Sequence, residues 1–80
     1  MEPITFPQDL VQAQHDWIHT YEALAQPQPR LLTALRRRLL HLSDYVWGHP
    51  FFMTFEGSTA AARVELRRQA REHEHRVRAA

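Results

Sequence analysis

The feature that most constrains this chain is the stretch Leu31 to Trp47, LLTALRRRLLHLSDYVW, fenced by Pro29 on one side and by Gly48-His49-Pro50 on the other. Leu32, Leu35, Leu39, Leu42 and Val46 recur in steps of three and four, which places them on one face of a helix. Leu40 and Trp47 form a second, narrower apolar strip beside that seam. Two strips on one helix require two neighbours. The leucine seam is expected to face the first helix, and a third element, or a partner chain, is expected over Leu40 and Trp47.

The segments on either side supply those neighbours. Thr5-Phe6-Pro7-Gln8 has the form of a capping box, with a hydroxyl at the cap and Gln three residues later. A first helix from there carries Phe6, Leu10, Ala13, Trp17, Tyr21 and Leu24 on one face, with Ile18 at its margin. Gln12, His15, Asp16, His19 and Glu22 fall on the opposite, solvated face. Gln26-Pro27-Gln28-Pro29 stops it, because each proline pushes the preceding residue out of the helical region. Pro29 then suits the first position of the second helix, and a link of about three residues makes the pair antiparallel.

Gly48 is placed to end that helix. The following His49-Pro50-Phe51-Phe52-Met53-Thr54-Phe55-Glu56-Gly57 is too aromatic for a solvated loop. Phe51, Phe52 and Phe55 read as a plug closing the end of the hairpin, one short helical turn included. The competing reading is an exposed aromatic surface awaiting a partner. Ser58 caps a third helix whose apolar stripe is thin: Ala62, Leu66, Ala70 and Val77, with His73 on the same face. Arg63, Arg67 and Arg71 make a column beside the stripe, and Arg68–Glu72, Glu72–Arg76 and Glu74–Arg78 offset part of the charge at helical spacing. The expected fold is all-α: a small three-helix domain with helices over roughly residues 6–25, 29–47 and 59–77 and a third basic helix laid across an antiparallel hairpin.

At 80 residues the chain is a single domain with little surface to bury. It has no cysteine, so disulfides and thiolate metal sites are excluded. No apolar run reaches the length of a membrane span, and Met1-Glu2-Pro3-Ile4 does not open a signal peptide. A cytoplasmic location is expected, with no membrane association. All ten basic residues are arginine, yet nine acids bring the formal net charge to +1. Charge alone therefore argues against a strong nucleic-acid binder.

Few residues offer chemistry. His15 and His19 stand one helical turn apart near Glu22, a spacing that suits a divalent metal, but the column lies on the solvated face without supporting partners. His73 and His75 diverge on a helix. There is no glycine-rich phosphate loop, Ser43 and Ser58 sit in mid-helix and cap settings, and Asp44 and Glu56 have no foreseeable pocket. No enzyme, cofactor, metal or small-molecule substrate is expected. The arginines remain: Arg36-Arg37-Arg38 on the second helix and Arg63, Arg67, Arg68 and Arg71 on the third. Three successive helical residues fan out over about 200°, so the triplet splits into two flanking arginines and one exposed one. The column suits either phosphates or an acidic patch on a protein.

The runs TALRRRLLHLS, Trp47 to Phe51 and AARVELRRQAR resemble short hypothetical proteins of high-GC actinobacteria that recur in mobile or plasmid-derived neighbourhoods. The resemblance implies a small helical cytoplasmic protein with an accessory or regulatory role, and it transfers no functional residue. The function expected is non-enzymatic, acting through a protein partner or a homo-oligomer, with an accessory nucleic-acid binder as the alternative. The residues expected to carry it are Arg63, Arg67, Arg68, Arg71, Leu40, Trp47, Phe51, Phe52 and Phe55.

Overall fold

The computed structural model describes residues 4–27 and 31–79, with side chains described as far as His73. Its elements are α1 (Gln8–Leu24), α2 (Leu32–Trp47), the five-residue α3 (Pro50–Thr54) and α4 (Thr59–Ala79). The protein is an all-α domain of three long helices, and α3 is the short turn inside the aromatic segment. None of the helices, over the described residues, is long and apolar enough to cross a membrane.

The helix ends differ in detail from the sequence reading. Pro7 (φ −55°, ψ 143°) is the cap of α1, and its carbonyl accepts from the N–H groups of Leu10 and Val11. No side chain caps this end, so the Thr5–Gln8 capping box does not form. Proline fixes φ but its ψ is extended here, which delays the first helical turn and strands Thr5 upstream. The link from α1 to α2 runs from Ala25 to Leu31, longer than anticipated. Pro29, the anticipated start of α2, lies outside the described residues. Leu31 leads into α2 at φ 55°, a left-handed conformation uncommon for leucine.

Gly48 does follow α2, though not in the left-handed conformation: φ is −92°. What it provides is space, since a Cβ there would stand 3.0 Å from the Asp44 carbonyl oxygen. Pro50 holds His49 extended (φ −64°, ψ 136°), and His49 Nδ1 accepts the Phe51 N–H at 3.1 Å, capping α3. Ser58 caps α4 as its sequence position implied, with the Ala61 N–H donating to its Oγ.

The core gathers Phe6, Leu10 and Ala13, Val46 from α2, Phe52 from α3, and Ala62 and Leu66 from α4. Ile18 and Ala70 are buried as well, and Leu10 and Leu66 are sealed completely. Val77, expected on the same stripe, has no described side chain. The central helix is therefore α1. Both α2 and α4 pack against it, and they make little contact with each other.

That arrangement corrects the place of the leucine seam. Val46 alone of the α2 residues is buried, Leu35, Leu39 and Leu42 are half-covered, and Leu32 is exposed. Nor is α4 laid across the hairpin: it follows α1 and reaches α2 only near Trp47. A helix supported on one flank cannot bury two strips, and Leu40 remains 67% exposed. The radius of gyration, 13.7 Å, exceeds the ~12 Å of a compact chain of this length.

Candidate interaction face

Trp47 and Arg63 mark the point where α2 and α4 come together. The Arg63 guanidinium carbon lies 3.8 Å above the Trp47 ring centre and 5.6 Å from that of Phe52. Arg63 Nε is buried without a hydrogen-bond partner, so ring faces rather than acceptors hold this cation, an interaction worth ~0.5–2 kcal/mol. Leu40 and Arg36 follow on the Trp47 side of α2, and Arg67 and Arg71 follow Arg63 at four-residue steps on α4.

Trp17 of α1 is tied to α2. Its indole N–H donates to Ser43 Oγ at 2.8 Å, and that hydroxyl donates to the Leu39 carbonyl oxygen at 2.7 Å. Tyr21 stacks one turn further on, 5.3 Å from the Trp17 ring and nearly parallel at 8°. Gln14, on the same side of α1, is buried. Around the Arg63–Trp47 contact, Tyr21, Leu40 and Trp47 are left exposed on α1 and α2, and Arg67 and Arg71 on α4. Tyr21 is 56% exposed and Trp47 44%.

The arginines anticipated as one basic surface are divided by these contacts. Arg63 is spent on Trp47. Arg68 turns to the other side of α4, where it makes a two-oxygen contact with Glu65 and a further bond to Glu72 at 2.9 Å. Glu65 is held below the ordinary carboxylate range chiefly by Arg68, then by Gln69, and the same pairing raises Arg68. Arg67 and Arg71 are exposed and make no ion pair among the described residues. Arg36, Arg37 and Arg38 are all exposed, so the triplet lies further from the core than its spacing suggested.

The phenylalanines do not belong to the face. Phe52 is in the core, and Phe51 and Phe55 are half-covered and stacked on one another at 5.4 Å. Phe51 also tilts against Phe6 at 5.0 Å. The exposed large hydrophobic of the aromatic segment is Met53, 84% exposed. Phe52 is buried and Phe51 and Phe55 are half-covered, an arrangement in keeping with the plug rather than with an exposed three-ring surface.

Two polar clusters were not visible in the sequence as such. Asp9 Oδ2 accepts from the Tyr45 hydroxyl at 2.6 Å and lies 2.9 Å from His49 Nε2. Because His49 Nδ1 accepts the Phe51 N–H, Nε2 carries the proton that Asp9 receives. Tyr45 first, then His49, holds the Asp9 carboxyl below its ordinary value, while Asp9 raises the Tyr45 hydroxyl. This imidazole joins two segments, and both of its nitrogens are committed. The second cluster is His15, whose ring lies 4.6 Å from His19 and 5.7 Å from His73 of α4. His15 is half-buried, contrary to its expected place on the solvated face, because α4 covers that flank of α1. No three His, Asp or Glu side chains among the described residues stand where they could hold a metal ion.

A family model described as a domain of unknown function (DUF8825) matches residues 9–69. That span takes in Trp17, Tyr21, Leu40, Trp47, Arg63 and Arg67. No curated protein and no solved structure matches the chain.

Proposed function

The chain belongs to the DUF8825 family, and from that premise we propose a non-enzymatic accessory or regulatory protein that works by binding another protein chain or a second copy of itself. The observation that carries this reading is the uncovered strip of α2. Leu40 and Trp47 stay exposed next to Tyr21 in a domain with few buried side chains, and a chain this small gains much by covering them. The resemblance to short actinobacterial proteins of mobile or plasmid-derived neighbourhoods supports the accessory role, and the absence of cysteine is in keeping with a cytoplasmic location.

A photo-crosslinking residue at position 40, compared with one at the exposed position 22 of α1, tests the reading in cells. A discrete adduct from position 40 alone is expected, and its mass distinguishes a second copy from a partner. Equal or absent labelling at both positions rejects the reading.

A second reading, an accessory nucleic-acid binder, draws on the exposed Arg67 and Arg71. It expects retention on DNA or RNA that weakens steeply with salt and is lost when both become Gln. Retention unchanged by those substitutions rejects it.

A further inference from the structure

We infer that α2 pairs antiparallel with α2 of a second copy of this chain, the two-fold axis passing beside Leu40. This rests on the interaction reading above and names the partner.

The face concerned is fixed by helical spacing within α2 itself. Thr33, Leu40 and Trp47 recur at seven-residue steps, with Arg36 on one flank and Arg37 and Asp44 on the other. At about 100° per residue, all six lie within roughly 60° of Leu40. Every one of them is exposed, Leu40 to 67% and Trp47 to 44%. The opposite side of α2, with Leu35, Leu39, Leu42 and Val46, is the one turned to α1, and α4 makes little contact with α2.

The charges on this face are unspent. Arg36, Arg37 and Asp44 make no side-chain hydrogen bond or ion pair among the described residues. Their order along the helix, positive before Leu40 and negative after it, becomes its own complement when the direction is reversed. In an antiparallel pair centred on Leu40, Arg36 comes opposite Asp44 of the second copy and Arg37 opposite Ser43. The two arginines of each copy therefore stand around the carboxylate of the other, and two-fold symmetry makes the match twice. Leu40 meets its own image at the centre. Trp47 meets Thr33 and Leu32, the latter 39% exposed.

Other occupants account for less. A parallel pair would set Arg37 against Arg37 and Asp44 against Asp44, and like charges so placed cost affinity. A phosphate backbone would find Asp44 among the arginines and would leave Leu40 without a role. An unrelated protein explains the exposed leucine but not the mirrored charges. The contact runs over about 21 Å, from Thr33 to Trp47, and one helix pair of that length is a small interface. Association at micromolar rather than nanomolar concentration is expected.

Sedimentation equilibrium of the whole protein should show a reversible monomer–dimer transition between about 1 and 500 µM. Asp44→Arg should weaken it at least about tenfold, and so should Arg36→Asp with Arg37→Asp. Mixed one to one, these two variants should dimerise at least as tightly as the unaltered chain, which also shows that both are folded. All three substitutions in one chain should restore self-association, because an antiparallel pair regains its matches and a parallel pair does not. The chain has no cysteine, so Leu40→Cys should link two copies on oxidation and Glu22→Cys should not. A protein monomeric throughout that range overturns the inference, as do dimers of equal strength in the charge-reversed variants or a triple variant that stays monomeric. A position-40 adduct with a different protein in cells, alongside a monomer in solution, rejects self-pairing and leaves the interaction reading intact. Loss of both rejects both.

Discussion

Leu66→Ala tests the claim that the contact between α1 and α4, rather than the leucine seam of α2, holds this domain together. Leu66 is completely buried beside Leu10, Ala62 and Phe52. Truncating a sealed leucine costs ~2–5 kcal/mol, the spread reflecting how far the site collapses. A domain of this length has a total of about 4–12 kcal/mol at ~0.05–0.15 kcal/mol per residue. One methyl cluster therefore accounts for a large part of the margin. At ~4–8 °C per kcal/mol the midpoint should fall by roughly 10–40 °C. Leu40→Ala, at an exposed position, should stay within about 0.5 kcal/mol, and Leu39→Ala, half-covered, should fall between. Urea unfolding followed by far-ultraviolet circular dichroism at low protein concentration measures all three. If Leu39→Ala or Leu40→Ala costs as much as Leu66→Ala, the leucine seam of α2 carries the core and the reasoning fails.

Ser43→Ala removes the acceptor of the Trp17 indole and should cost about 1 kcal/mol, with a shift in tryptophan emission that an unchanged spectrum would contradict. Gly57 sits at φ 134° with a Cβ position 3.3 Å from the Phe55 ring, so Gly57→Ala should destabilise by about 1–3 kcal/mol in the same unfolding assay, and a neutral result would show that the loop is free to rearrange. The Asp9 carboxyl is depressed by Tyr45 and then His49. Its contribution should be complete above its ordinary value, near 3.8, and should disappear as pH falls through the lower folded one. Asp9→Asn should flatten that acid limb of the stability curve, and an unaltered limb would reject the assignment. The Tyr45 hydroxyl is raised by Asp9 from its ordinary value of 10.0. Its contribution should be complete below that value and lost as pH rises through the higher folded one, and Tyr45→Phe should remove this alkaline loss.

Periodicity made the three long helices readable, and the cap at Ser58 and the stop at Gly48 could be read from local chemistry. What periodicity does not contain is the identity of a neighbour. Leu39 and Val46 look equivalent on a helical wheel, yet Val46 is buried and Leu39 is half-open, because Val46 alone sits where α3 and α4 close over the end of α2. His15 looked solvated for the same reason: the pattern identified one covered flank of α1, and α4 covers a second. Thr5 failed as a cap because the competing choice, an extended Pro7, leaves no trace in the spacing. The exposed face was half visible. Leu40 and Trp47 were marked as a strip lacking a neighbour, and Arg67 and Arg71 as part of a column. That Arg63 would stack on Trp47 while Arg68 turned to Glu65 depends on where α4 crosses, which no local rule supplies. Asp9, Tyr45 and His49 could be joined only through the fold, since they lie 36 and 40 residues apart.

The Arg63–Trp47 contact has a mechanical meaning as well. A cation over a ring face is held by a broad, shallow attraction with no fixed donor angle, so it tolerates rotation better than a hydrogen bond does. Leu40 lies seven residues from Trp47, about 10 Å along the axis of α2. A tilt of ~10° about the contact would carry Leu40 through roughly 2 Å of arc over that lever. The end of α2 can therefore shift against α4 at this contact without breaking a directional bond.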